Sequence, residues 1–151
     1  KRNKIQIPLV LKVSPDIKES EISHIIELTK KFSINGIIIS NTTDKNRENL
    51  VGINKNEIGG LSGEPLNKIS NDLIKKFYKE VNDKITIIGV GGVNSGITAY
   101  EKLKSGANLL QLYTGMIYEG PGIVKKIKTE LIDILEKEKI KNVSEIVGAG
   151  S

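Results

Sequence analysis

The sequence predicts an α/β fold of four successive βα units, on three observations. Four short runs rich in β-branched apolar residues, at 9–13, 36–40, 85–90 and 109–113, are each followed by a segment with helical periodicity. The runs are apolar on both faces rather than alternating, which suits a parallel sheet covered by helices or closed into a barrel. Their C-terminal ends carry glycines and hydrogen-bonding side chains, where folds of this class place their chemistry. Four such units make half of an eight-stranded barrel, for which about 250 residues are typical. An open doubly wound sheet is the competing arrangement.

The first helix places Ile22, Ile25, Ile26 and Thr29 on one face. The second is expected to be capped by Ser70 with Asp72 in its first turn, and to bury Leu73, Ile74, Phe77, Tyr78 and Val81. A short third helix runs from about Thr98 to Lys104, with Gly106 placed to end it in a left-handed turn. The fourth has the clearest stripe, Ile123, Val124, Ile127, Leu131, Ile134 and Leu135, with Pro121 just before it, where a missing N–H costs nothing. A minor turn closes the chain near 143–147. The second unit carries extra material between Thr42 and Ile69, and loops that long in a compact domain are usually functional or mobile.

Composition narrows the chemistry. With 23 Lys or Arg against 18 Asp or Glu, the net charge of +5 is modest, and its lysines are spread through amphipathic segments. Aromatic content of 4% offers few stacking surfaces, so a nucleic-acid partner is not expected. No apolar run approaches the length of a membrane span, and no secretory h-region opens the chain. The chain has no Cys, which removes disulfides, thiolate metal sites and Cys nucleophiles from these residues. It opens on Lys1 rather than Met, so a piece of a longer polypeptide is expected.

At the strand ends, Lys12 lies in the apolar run Leu9-Val10-Leu11-Lys12-Val13. A buried ammonium is costly without a counter-charge or polar ligand, so Lys12 calls for an electron-rich partner; the alternative is that it points outward or pairs with a structural carboxylate. Ser40-Asn41-Thr42-Thr43 offers donors and acceptors suited to a planar ligand rich in carbonyls and N–H groups, or else ordinary turn chemistry. Gly59-Gly60-Leu61-Ser62-Gly63-Glu64-Pro65-Leu66 permits close backbone approach to a ligand, or suits a plain loop. Gly89-Val90-Gly91-Gly92-Val93-Asn94-Ser95-Gly96 is a glycine-rich strand-to-helix turn, a natural phosphate site at a positive helix end. Its glycines lack the GxGxxG spacing of dinucleotide folds. Gln111-Leu112-Tyr113-Thr114-Gly115 adds hydroxyls and a glycine at the neighbouring strand end, matching the phosphate location common in barrels. His24 sits in an amphipathic helix away from these ends and reads as solvated, Asp16 reads as a turn cap, and no spacing of carboxylates argues for a metal.

In this order and spacing, the motifs Leu11-Lys12-Val13-Ser14-Pro15-Asp16, Ser40-Asn41-Thr42-Thr43, Gly60 to Leu66, Ile88-Gly89-Val90-Gly91-Gly92 with Ser95-Gly96, and Gln111-Leu112-Tyr113-Thr114 carry a resemblance. Together with the tail Val143-Ser144-Glu145-Ile146-Val147-Gly148, they make the chain resemble the C-terminal half of the class 2, membrane-associated dihydroorotate dehydrogenases. The resemblance implies a TIM (β/α)8 barrel of which residues 1–151 form strands five to eight of a single FMN-binding domain, the N-terminal half and membrane-docking helices being absent. It implies FMN contacts at Lys12, Ser40, Ser62, Gly63, Gly91, Gly92, Tyr113 and Thr114, with Gly92, Tyr113 and Thr114 around the phosphate. It places Asn41 and Thr42 on the orotate ring. Where the family often has Thr, Ser40 keeps the hydroxyl.

The implied reaction is oxidation of dihydroorotate to orotate in pyrimidine synthesis, with electrons passed through FMN to a quinone. The base would be a serine in the missing half, so no catalytic residue is expected within this chain and the chain alone is expected to be inactive. The partners implied are dihydroorotate or orotate, a quinone, the N-terminal half of the barrel and, through that half, the surface of an inner membrane. Without the family, the residues leave open a non-redox phosphate-binding synthase or isomerase.

Overall fold

The four apolar runs form one parallel sheet in sequence order, β1 (Val10–Val13), β2 (Gly36–Ile39), β3 (Thr86–Val90) and β4 (Leu109–Gln111). The computed structural model describes residues 7–45, 47–81 and 85–151. Between and after the strands run α1 (Glu19–Lys31), a 3-10 turn at Glu64–Leu66, α2 (Asn67–Val81), α3 (Gly96–Lys104), α4 (Thr114–Glu119), α5 (Ile123–Lys137) and a closing 3-10 turn at Val143–Ile146. Each strand is short and joined to the next by a helical crossover, as parallel pairing requires.

The register places Lys12 beside Ile38, Ile38 beside Ile88 and Ile88 beside Leu109, while Val13 pairs with Ile39 and Ile39 with Gly89. Because side chains alternate along a strand, these rows face opposite ways. The Val13 face is covered: Ile37, Ile39 and Ile87 are fully buried against Ile22 and Ile26 of α1 and Ile74, Phe77 and Val81 of α2. Each large side chain buried this way contributes about 1.5–3 kcal/mol. Smaller clusters join α3 to α5 through Val93, Ala99, Ile123 and Ile127, and α3 to the closing turn through Tyr100, Leu103 and Ile146. The Lys12 face is uncovered among the described residues, with Leu109 more than half exposed, and β1 and β4 stand as sheet edges. At Gly36 a Cβ would lie 2.8 Å from the Thr86 carbonyl oxygen, so only glycine lets β2 and β3 pair there.

Three expectations are corrected. Ser70 does not cap α2, which begins three residues earlier at Asn67: Pro65 starts a 3-10 turn that runs straight into the helix, placing Ser70 and Asp72 inside it. Ser70 faces the sheet, fully buried, and donates to Val90 O at 2.7 Å and Ile39 O at 3.2 Å. The third helix starts at Gly96 rather than Thr98, because Ser95 caps it by accepting from Thr98 N. The fourth strand stops at Gln111, and a separate helix, α4, follows as Tyr113 O accepts from Met116 N and Ile117 N. Gly106 does follow α3 with φ of 115°, and α5 carries the stripe anticipated after Pro121.

Candidate functional site

At the C-terminal ends of the strands the chain builds one cavity of about 370 Å³. Each strand delivers its part by alternation and by the turn that follows it. From β1 comes Lys12, on the uncovered face and lining the cavity. Its side chain is exposed within this chain, because no described residue packs over its side of the sheet. Beyond β1, the Asp16 carboxylate is not a simple turn cap; it accepts from Thr43 Oγ1 at 2.6 Å, tying the first strand's loop to the second's.

After β2, the Ser40 N–H donates to Val90 O and the Asn41 N–H to Val13 O, so neighbouring strands hold this run on both sides. Ser40 lines the cavity, and its buried Oγ has no hydrogen-bond partner among the described residues. A buried hydroxyl left unpaired costs about 1–3 kcal/mol. Asn41 and Thr42 line the same cavity. Thr43 pairs with Leu61 through both backbone groups, which folds the long insertion back over the strand ends. A Cβ at Gly60 would lie 2.1 Å from Thr42 Oγ1, so the glycine makes room for that side chain.

The insertion then brings Ser62 and Gly63 to the cavity, and Thr114 Oγ1 from the far side of the sheet donates to Ser62 Oγ at 2.9 Å. Gly91 and Gly92 turn the chain out of β3 with φ of 115° and 72°, conformations that side chains rarely allow. The Gly92 carbonyl is drawn toward α2 by Asn67 Nδ2 at 3.2 Å. Tyr113 lines the cavity beside Thr114 while remaining largely exposed. Thus Lys12, Ser40, Asn41, Thr42, Ser62, Gly63, Gly91, Gly92, Tyr113 and Thr114 all line one space.

The start of α3 is not the free positive end the glycine-rich turn suggested. The Gly96 N–H donates to Glu130 of α5 at 2.6 Å and Ser95 occupies the cap. His24 lies on an exposed helix face beside Glu27. Among the described residues no three His, Asp or Glu side chains gather to hold a metal.

Sequence reasoning missed the polar support behind the cavity. Lys102 of α3 is fully buried and donates to Asn71 Oδ1 at 2.6 Å and to Ser70 Oγ at 3.2 Å. Burial pushes its ammonium down to about 8, an effect partly offset by Glu101. The signal was present: Lys102 lies three residues after Ala99 and next to Leu103, on the inward face of its helix. Glu64, Asn94, Tyr118 and Glu119 also line the cavity and were not singled out.

The family model for dihydroorotate dehydrogenase matches residues 1–135. A Trichodesmium erythraeum relative named dihydroorotate dehydrogenase (quinone) is 41% identical, the match covering 98% of this chain and 41% of the relative. A mitochondrial dihydroorotate dehydrogenase (quinone) of Arabidopsis thaliana is 42% identical, covering 94% of this chain and 31% of the relative. Among solved structures, an Eimeria tenella DHODH in complex with ferulenol superposes with a TM-score of 0.92 at 34% identity, covering 98% of this chain and 39% of that one. The chain therefore spans about two fifths or less of these relatives' lengths. The fold is a partial α/β barrel, its four parallel strands and outer helices matching part of a larger enzyme. By the matched residues, the motif order and this superposition, the chain belongs to the dihydroorotate dehydrogenase family.

Proposed function

We propose that this chain forms strands five to eight of an eight-stranded barrel that oxidises dihydroorotate to orotate, with FMN as cofactor and a quinone as electron acceptor, in pyrimidine synthesis. The observation that carries the reading is the gathering of Lys12, both glycine-rich segments and the hydroxyl run in one cavity at the strand ends. The residues fit FMN on a further observation, the buried hydroxyl of cavity-lining Ser40, which has no partner among the described residues. Ser40, Ser62, Gly63, Gly91, Gly92, Tyr113 and Thr114 would hold the cofactor, the turn at Gly91 and Gly92 with Tyr113 and Thr114 taking its phosphate. When bound, FMN supplies the hydride acceptor.

The chain's own residues bind, orient and bias charge. The Lys12 ammonium favours negative charge developing on a ring held at the cavity, an effect that grows as water is excluded. Asn41 and Thr42 present paired donors and acceptors to the carbonyl and N–H edges of the substrate, fixing which ring carbon faces the cofactor. The Asp16–Thr43 bond and the Thr43–Leu61 pairing hold these two side chains and the insertion in one arrangement. Proton removal is assigned to a serine of a segment outside this chain, which would also close the uncovered sheet face and carry peripheral contact with an inner membrane. Among the described residues no helix is long and apolar enough to cross a membrane.

The intact protein should purify yellow, release FMN on denaturation and reduce a quinone analogue when given dihydroorotate. A colourless preparation that cannot be loaded with FMN overturns the reading. Binding of a phosphorylated sugar in preference to flavin would instead select the non-redox barrel.

A further inference from the structure

Lys102 is fully buried, yet both acceptors of its ammonium are neutral. An ammonium so placed costs the fold several kcal/mol, against which two neutral hydrogen bonds are modest return. What they do provide is direction. An ammonium only donates, so Asn71 must turn Oδ1 toward it, and its Nδ2 is then left to donate to Asn67 Oδ1 at 3.1 Å. Asn67 in turn has Nδ2 free to donate to Gly92 O at 3.2 Å. On the second branch Lys102 occupies a lone pair of Ser70 Oγ, which leaves the hydroxyl proton for the carbonyls of Val90 and Ile39. Val90 O also accepts from Ser40 N. Both branches thus end on the backbone of the cavity wall, one at the Gly91–Gly92 turn and one where β2 and β3 finish.

We propose that Lys102 is a positioning residue for the cofactor's phosphate subsite: it sets the proton order of the Asn71–Asn67 chain and so holds the Gly92 carbonyl turned away toward α2. With a neutral residue at 102 the order is fixed only where Gly92 O, an acceptor, meets Asn67 Nδ2; the Asn71 amide can then turn, Asn67 Oδ1 loses its donor, and the turn is held less firmly. Lys102 is not among the residues that line the cavity; it acts through the asparagines. The fold reserves the space for it, since a Cβ at Gly89 would lie 2.8 Å from the lysine's Cγ and Cδ.

This rests on the flavin reading, and the two can fail separately. Lys102→Met in the intact apoprotein keeps most of the stem and removes the donor. Its FMN dissociation constant, followed by flavin fluorescence, should rise on the order of tenfold, while that of riboflavin, which lacks the phosphate, changes less than about threefold. Amide exchange at residues 91–93 should accelerate in the same variant. Should Lys102→Met fail to fold, Asn67→Ala cuts the chain at a half-buried position and should give the same split. Equal losses for FMN and riboflavin, or no loss, in a folded variant overturn the positioning role. If the wild-type protein takes up neither ligand, the flavin reading falls, and unchanged exchange at 91–93 then overturns the hold on the turn independently.

Discussion

Two lysines mark the contrast between the uncovered face of the sheet and the helix layer behind it. Lys12 sits in an apolar strand and is exposed; Lys102 sits in an amphipathic helix and is fully buried. A strand residue is buried only if something packs on its own side, and the described residues put nothing over Lys12. A helix residue is exposed only if it lies on the outer stripe, and α3 turns residue 102 inward between α2 and β3. The uncovered side leaves its lysine lining the cavity. The helix layer spends its ammonium on holding backbone groups in order.

The largest expected effect lies in the helix layer. Phe77→Ala removes a fully buried ring packed against the sheet and should cost about 3–5 kcal/mol of stability, measured by urea denaturation of the intact protein. A cost below about 1 kcal/mol would mean that the layer is not the close-packed half of the contrast.

Next comes the pH dependence of Lys102. With a folded value of about 8 against an ordinary 10.5, the unfolded chain binds more protons than the folded one between those values. Stability is therefore lowest below about pH 8 and rises as pH climbs toward 10.5, by roughly 3 kcal/mol at most from this group. Lys102→Met should lack that rise in denaturant midpoints taken from pH 7.5 to 10. Parallel curves for the two proteins would remove the buried charge from the comparison.

The smallest effect on stability belongs to Lys12. Because no described residue packs over its side chain, Lys12→Ala should change the unfolding free energy less than Phe77→Ala does. The same variant should weaken flavin retention and slow reduction by dihydroorotate. Unaltered retention and rates would leave Lys12 a spectator and erase the functional side of the contrast.

Much of this was legible in the sequence because its signals are local. Four β-branched runs, the stripe of α5, the helix end at Gly106 and the helix start after Pro121 each depend on a few neighbouring residues. The strand-end residues were legible for the same reason: a parallel βα fold brings successive strand ends to one side, so Lys12, Asn41, Gly92 and Thr114 were bound to approach one another. The boundaries of α2 were less legible, since Ser70 has the right side chain for a cap and only the turn at Pro65 decides that the helix has already begun.

The sequence by itself determined the order of the four βα units, their parallel sheet and the set of side chains delivered to its C-terminal edge, because period and turn chemistry are properties of short segments. Tertiary structure alone decided which lysine is buried, that Glu130 occupies the start of α3, and that Asp16 reaches Thr43. Those contacts join residues 27 to 34 positions apart, and no local pattern encodes which distant group will stand opposite once the helices have packed.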